Sequence, residues 1–96
     1  MQTQVENLVQ TENGPRFVQE GNYRGNGITV ATGFDITHDN WPFHVYIKPA
    51  NGPVIQLSHR PSQYRANSMQ SAFNQGMQIA VQHLNPREAV FQTQVK

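Results

Sequence analysis

The chain has 96 residues, of which 36% are hydrophobic and 14% charged, and its net charge is +1. This length allows one domain with a modest core, and the lack of cysteine excludes disulfides, thiolate catalysis and cysteine-based zinc sites. A net charge of +1 is too weak to be, by itself, the basic footprint of a nucleic-acid-binding protein. Twelve Gln and nine Asn stand where charged residues are more usual. An amide-coated surface repels its own copies weakly, so we predict a homodimer.

The first 14 residues are polar apart from Val5, Leu8 and Val9. They lack the basic and apolar regions of a signal peptide, and no apolar run in the chain reaches the length of a membrane span. We therefore expect a cytoplasmic protein with no membrane association. Residues 1–14 can form a frayed helical turn or a short strand, but a flexible or weakly ordered segment is favoured because termini fray unless docked. Residues 15–96 are predicted to form a single α+β domain.

Three segments in the middle of the chain alternate between apolar and other residues, namely residues 28–36, 43–48 and 54–59. Alternation with a period of two is typical of strands in a half-buried antiparallel sheet. A weaker strand is expected at residues 16–19, between Pro15 and a group of glycines that mark turns or a bulge. Turns are predicted at residues 38–40 and 49–53.

The alternation also predicts which residues pair, because residues opposite each other in an antiparallel pair point to the same face. A short loop at Asp39-Asn40 pairs Ile36 with Phe43, Phe34 with Val45, and Thr32 with Ile47. In the next hairpin, a two-residue Asn51-Gly52 turn would place Ile47 opposite Gln56, which mixes the two faces. A loop of three or five residues, with Gly52 in a left-handed conformation, instead pairs Ile47 with Ile55 and Val45 with Leu57.

The clearest single element is a helix that Asn67 or Ser68 can cap and that Asn85-Pro86 ends. Its apolar residues recur at steps of three and four, giving one stripe: Met69, Phe73, Gly76 or Met77, Ala80 and Leu84. Gly76 either lets the helix approach the sheet closely or has no structural role. A further strand is expected at residues 87–95. The predicted fold is α+β, an antiparallel β-meander of three to five strands with one amphipathic helix packed on one face of a β-β-β-α core.

The sheet face away from the helix is the candidate functional surface. The predicted register places Asp35, His44 and Ser58 in one row, Gly33, Tyr46 and Gln56 in the next, and Ala31, Lys48 and Val54 in the third. In this arrangement the Tyr46 ring covers the bare backbone of Gly33. An aromatic ring between Lys48 and Gln56 can stack on a nucleobase or another flat ligand. Ordinary cross-strand pairing on a solvated sheet explains the same residues and is the favoured interpretation.

Asp35 beside His44 resembles an acid–base pair, but no activated serine or other nucleophile accompanies it. We therefore predict no catalytic residues and no enzyme. The four histidines lack the short repeated spacings of a zinc site, so no metal and no cofactor are predicted either.

Residues 59–65 form the most basic segment and lead into the N-terminus of the helix, where free amide hydrogens favour anions. Arg60 and Arg65 can hold a phosphate or carboxylate there. The favoured alternative is a solvated loop whose arginines cover apolar surface.

Four parts of the chain carry a resemblance: Tyr23-Arg24-Gly25, Trp41, residues 43–47 and residues 76–84. They resemble small bacterial strand-rich domains of unknown function with a closing helix. Those domains bring no established activity, so the resemblance implies a fold and no site residues. The order of strands and helix is also loosely similar to half-units of sheets that bind single-stranded nucleic acid and commonly dimerise.

The sequence thus predicts a non-enzymatic interaction module that forms a homodimer or contacts a protein partner through its sheet face or an edge strand. The alternative is binding of single-stranded nucleic acid or a nucleotide anion. The candidate binding residues are Tyr46, Lys48, Gln56, His44, Arg60 and Arg65.

Overall fold

An antiparallel sheet and one helix make up the part of the chain that the computed structural model describes, residues 5–14, 16–57 and 64–85. The elements are β1 (Glu6–Asn13), β2 (Phe17–Tyr23), β3 (Asn26–Thr32), β4 (Trp41–Lys48), β5 (Ile55–Gln56), β6 (Tyr64–Ala66) and α1 (Met69–Leu84). The sheet order is β1-β2-β3-β4-β5, and β6 also pairs with β4. The predicted α+β class, with an antiparallel meander closed by a helix, is confirmed.

β1 lies in the segment for which the sequence favoured flexibility. Glu6–Asn13 forms a strand that pairs with β2, which is the short strand that the sequence left open as an alternative. All eight of its residues are exposed, and the pairing shifts register at two places, which removes any alternating signal. The strand is docked near Gly21, where a Cβ atom would lie 2.5 Å from a methyl group of Val5 and 3.0 Å from one of Leu8.

The hairpin between β2 and β3 turns at Arg24 and Gly25, whose φ angles are +52° and +83°. A two-residue turn with positive φ at both positions matches the twist of the flanking strands, and glycine is well suited to it. Tyr23 pairs with Asn26 across this turn. β2 therefore runs through Gly21 as far as Tyr23, well beyond the weak strand predicted at residues 16–19.

The register between β3 and β4 differs from the prediction by four residues. Thr32 pairs with Phe43 and Val30 with Val45. β3 ends at Thr32 because the chain then forms its own closed turn, with the Asp39 amide donating to the Asp35 carbonyl at 2.7 Å. Because the shift is an even number of residues, the residues of β3 and β4 that were predicted to face the helix do face it. Phe34 and Ile36 lie beyond β3, however, and are exposed rather than buried.

The next hairpin has the predicted register. Ile47 pairs with Ile55, and the Leu57 amide donates to the Val45 carbonyl at 2.9 Å. β5 is only two residues long, and residues 58–59 of the predicted strand lie outside the described part of the chain. The prediction for Gly52 is wrong, because Gly25 is the one glycine with positive φ among the described residues.

The helix covers one face of the sheet. Ser68 is its N-cap, and the Ser68 hydroxyl accepts a hydrogen bond from the Ser71 amide at 3.0 Å. The buried residues of α1 are Ala72, Phe73, Gly76, Met77 and Ala80, and they pack in one core with Ile28, Val30, Phe43, Val45 and Ile47 of the sheet. At the other end of α1, the Asn85 side chain donates to the Tyr23 hydroxyl at 3.0 Å. The strand expected at residues 87–95 lies outside the described residues.

Candidate functional site

The sheet face opposite the helix, called the open face below, carries His44, Tyr46 and Lys48 of β4. Val45 and Ile47 alternate with them and are buried under α1, which confirms the predicted assignment of the two faces. His44 and Tyr46 are half-buried and Lys48 is exposed. Alternation along β4 therefore places three of the proposed binding residues in one row on an accessible surface.

The rows on this face differ from those predicted. Tyr46 lies opposite Thr29 on one side and Gln56 on the other, so its pairing with Gln56 is confirmed and its pairing with Gly33 is wrong. His44 lies opposite Ala31 rather than Asp35. The cause is again the four-residue shift between β3 and β4, which removes both Gly33 and Asp35 from the paired part of the sheet.

A shallow depression of about 300 Å³ occupies one end of the open face. The residues that line it are Arg16, Ala31, Thr32, Gly33, Phe34, Pro42, His44 and Tyr46. Arg16 reaches the carboxylate of Glu12 at 2.9 Å, and this hydrogen bond and charge raise the arginine pKa above its ordinary value. The depression thus has a mixed apolar and polar lining, and its one guanidinium group is already paired.

An aromatic cluster adjoins the depression. The rings of Phe34 and Trp41 have centroids 5.5 Å apart, and those of Trp41 and Phe17 have centroids 5.7 Å apart. Trp41 and Phe17 pack against the core, whereas Phe34 is 48% exposed. Ile36, two residues further on, is 83% exposed. Apolar surface therefore continues from the core to the solvent at this end of the sheet.

Residues 35–40 form a closed turn, called the Asp35 turn below. One carboxylate oxygen of Asp35 accepts hydrogen bonds from the amides of Thr37 (3.0 Å) and His38 (3.3 Å). The other accepts from the His38 ring at 2.8 Å and from the Arg65 guanidinium at 3.1 Å. Arg65 also donates to the side chain of Asn40. These bonds hold the turn against β6.

This turn sets the charge state of Asp35. The hydrogen bond from His38 lowers the pKa of the Asp35 carboxyl from 3.8 to about 2, partial burial opposes the change, and Arg65 adds to the lowering. A carboxylate this acidic and this fully bonded is a poor proton acceptor. The acid–base pair considered between Asp35 and His44 is therefore not formed, and the role of Asp35 is to hold the turn together.

The predicted anion site before the helix is not assembled from the described residues. Arg65 points to Asp35 and Asn40, and Arg60 lies outside the described part of the chain. The Lys48 ammonium group donates to the Gly52 carbonyl at 3.0 Å and so stabilises the loop that follows β4. Of the six proposed binding residues, His44, Tyr46, Lys48 and Gln56 lie on the open face.

The sequence did not predict that Arg16, Phe34 and Pro42 line the depression. Phe34 was assigned to a buried strand position, and Arg16 was treated only as the start of a weak strand. The spacing of Glu12 and Arg16 by four residues was a signal for an ion pair, but the strand pairing that places it over the open face was not visible.

Comparisons of the chain with protein families, with curated proteins and with solved structures found no match. Among the described residues, no group of three or more His, Asp and Glu side chains is placed to hold a metal ion. The one helix of the described ranges lacks the length and apolar character that crossing a membrane requires.

Proposed function

We propose that the protein is a small, non-catalytic interaction module that associates with itself. One observation carries this proposal: Phe34, which is 48% exposed, lines the depression and contacts a ring cluster that continues into the core, and Ile36, two residues further on, is 83% exposed. Single exposed apolar residues are ordinary on protein surfaces, but a contiguous apolar patch beside a concave surface is typical of a contact site.

The rigidity of the Asp35 turn supports a binding role for this patch. Ile36 lies within a turn that Asp35 closes through amide, imidazole and guanidinium hydrogen bonds. A side chain held on a fixed backbone loses little conformational entropy when a partner covers it. The turn therefore presents Ile36 in a form suited to association.

Self-association is supported by the low charge of the chain, 14% of its residues. α1 carries no lysine, arginine, aspartate or glutamate, and its exposed residues include Gln70, Asn74, Gln78 and Gln82. Copies that approach each other consequently meet little like-charge repulsion.

The absence of a catalytic role is proposed because Asp35 is engaged in holding its turn and does not lie beside His44. Asp35 is bound by His38 and Arg65, and His44 faces Ala31 across the strand pair. The depression is open and shallow rather than an enclosed pocket that would exclude water from a reaction. A protein partner other than a second copy, and a cytoplasmic location, stay predictions from the sequence.

Sedimentation velocity over a wide range of protein concentration tests this proposal. We expect the weight-average sedimentation coefficient to rise with concentration, and to do so equally at low and high salt, because apolar contacts are screened little. A constant monomer value up to the highest soluble concentration would show that self-association is wrong.

Binding of single-stranded nucleic acid is the second candidate, and the placement of Tyr46 between Thr29 and Gln56 favours it. It has less support, because Lys48 and Arg65 are already bonded within the chain. Fluorescence anisotropy with mixed-sequence oligonucleotides at low salt distinguishes it from the first. Binding that weakens steeply with salt and is lost in Tyr46→Ala would support this candidate, and no binding at low salt would end it.

A further inference from the structure

Three asparagines of the chain are followed directly by glycine: Asn13, Asn26 and Asn51. In such a pair the backbone nitrogen of the glycine can attack the side-chain carbonyl carbon of the asparagine, because glycine has no Cβ atom to obstruct the approach. Asparagine is accordingly among the thermolabile residues of proteins. Since the three sites have the same two residues, the structure around each one decides which of them reacts in the folded protein.

Asn26 is held on both sides of the bond that would form. Its side-chain nitrogen donates to the Tyr23 carbonyl at 3.1 Å and to the Arg24 carbonyl at 3.3 Å. Gly27, which would supply the attacking nitrogen, lies in β3 and is paired with β2 on one side and β4 on the other. An interior strand cannot bend its backbone towards a side chain without disturbing both ladders of hydrogen bonds. The fold therefore protects Asn26.

Asn13 is protected less completely. It is the last residue of β1 and pairs with Phe17 of β2. The amide of Gly14 donates to the Arg16 carbonyl at 3.0 Å. The nitrogen attacks only after it has lost its proton, and this hydrogen bond keeps the proton in place. Because β1 is exposed along its whole length, its end opens more easily than β3 does. Asn13 should therefore react more slowly than an open site and faster than Asn26.

Asn51 is the open site. It is exposed in the loop between β4 and β5. The Gly52 amide donates no hydrogen bond to another residue of the described ranges. The Gly52 carbonyl does accept one, from the Lys48 ammonium group at 3.0 Å. That oxygen lies on the other side of the Gly52 Cα atom from the nitrogen, so the bond leaves the nitrogen accessible to the Asn51 side chain.

We propose that Asn51 is a site of spontaneous covalent modification, at which the folded chain converts asparagine to aspartate and isoaspartate. The Gly52 nitrogen loses its proton to a base in the solvent and forms a bond to Cγ of Asn51. The bond between Cγ and Nδ2 breaks, and Nδ2 takes up a proton and leaves as ammonia. Water then adds to either carbonyl of the succinimide ring and opens it, and nothing is oxidised or reduced. This reaction does not depend on self-association.

The reaction changes both the charge and the length of the loop. Either product carries one new negative charge, so the net charge falls from +1 to 0. Isoaspartate also adds a carbon atom to the main chain between β4 and β5, where Ile47 pairs with Ile55. The register of a hairpin depends on the length of its connection, and β5 has only two residues. We therefore expect copies that contain isoaspartate to lose the pairing of β5 before any other part of the sheet.

Peptide mapping by mass spectrometry after incubation of the folded full chain at mildly alkaline pH tests this assignment. The same incubation in urea is the reference, because unfolding exposes all three sites. In urea we expect the three asparagines to be modified at comparable rates. In the folded protein Asn51 should be modified nearly as fast as in urea, Asn13 more slowly, and Asn26 not detectably.

Two results of this mapping would overturn the assignment. One is modification of Asn13 or Asn26 in the folded protein at the rate of Asn51, because the structure would then not select the site. The other is an Asn51 that stays intact in the folded protein while it reacts in urea.

Gly52→Ala separates the chemistry from the structure of the loop. A Cβ atom at position 52 would lie 3.8 Å from the nearest side-chain atom, which belongs to Pro49, and Gly52 has no positive φ angle. The variant should therefore keep the wild-type circular dichroism spectrum and lose most of the modification at Asn51, because the methyl group obstructs the nitrogen. Gly27→Ala, where a Cβ atom also has only ordinary contacts, is the matched control and should leave the Asn51 rate unchanged. Equal Asn51 rates in Gly52→Ala and the wild type would contradict the proposed reaction.

Discussion

Gly76 of α1 lies directly against Val30 of β3. A Cβ atom at position 76 would be 2.6 Å from both methyl carbons of Val30, and Val30 is fully buried. The helix therefore packs closer to the sheet at this point than any other residue would permit. Of the two interpretations that the sequence left open for this glycine, the structure supports the close approach.

Gly76→Ala is expected to destabilise the protein by about 1–3 kcal/mol, because the added methyl group overpacks the core against Val30. The direction is informative, since the same change at an open position in a helix interior stabilises by about 1 kcal/mol. Urea unfolding followed by circular dichroism measures the difference.

Gln78→Ala, at an exposed position of the same helix, is the matched control and should change stability little. If Gly76→Ala proved as stable as the wild type or more so, the separation of helix and sheet described here would be wrong.

Asp35 should make stability depend on pH in the acid range. Its pKa is about 2 in the folded protein and 3.8 as an ordinary value, so the unfolded chain binds the proton first as pH falls. The stabilisation from Asp35 is therefore complete above about pH 4 and is lost between about pH 4 and pH 2.

In Asp35→Asn this contribution is absent, so the variant should be less stable than the wild type near neutral pH, with a difference that shrinks as pH falls through that window. Urea midpoints measured across the window check the expectation. Asp39→Asn, in the same turn, keeps the hydrogen bonds of Asp35 and should retain the wild-type profile. A gap between wild type and Asp35→Asn that stays constant with pH would contradict the assignment.

Phe73 is the largest helix residue in the core and is 1% exposed. Phe73→Ala removes its ring and leaves a cavity, so we expect a loss of about 3–5 kcal/mol in the free energy of unfolding. Tyr46→Ala should cost far less, because Tyr46 lies on the open face. Equal losses for the two variants in chemical denaturation would mean that the faces of the sheet had been assigned the wrong way round.

The bond between the Asn85 side chain and the Tyr23 hydroxyl joins the end of the helix to the end of β2. Tyr23 is buried, so removal of its partner leaves a polar atom without that bond in the core. A double-mutant cycle with Tyr23→Phe and Asn85→Ala should give a coupling of about 0.5–1.5 kcal/mol. Additive effects of the two substitutions would show that the bond contributes nothing to stability.

The sequence predicts the helix and the two faces of the sheet because both depend on local periodicity. Phe73 and Ala80 repeat at helical spacing, and Val45 and Ile47 alternate along β4 whatever their partners are. The even register shift preserved these faces. The position of β3 against β4 depended instead on where the strand stops, and that is set by the Asp35 turn.

A turn was predicted at residues 38–40, but its start at Asp35 was not, because one of the bonds that hold it comes from far along the chain. Arg65 is 30 residues from Asp35, and nothing in the alternating pattern indicates that the two meet. The depression depends on the same register, so its walls could not be predicted even though His44 and Tyr46 were placed on the correct face. β1 was only an alternative in the sequence analysis for another reason, because a strand exposed along its whole length has no apolar pattern.

That exposure of β1 has a consequence for motion. β1 contacts β2 and no other helix or strand of the described chain, and none of its own residues is buried. Separating it from β2 breaks backbone hydrogen bonds but uncovers little apolar surface, so its amide hydrogens should exchange with solvent well before those of β3 and β4. Each such opening exposes the edge of β2 that β1 normally covers, while the core stays folded. The molecule therefore carries a second strand edge that is normally hidden.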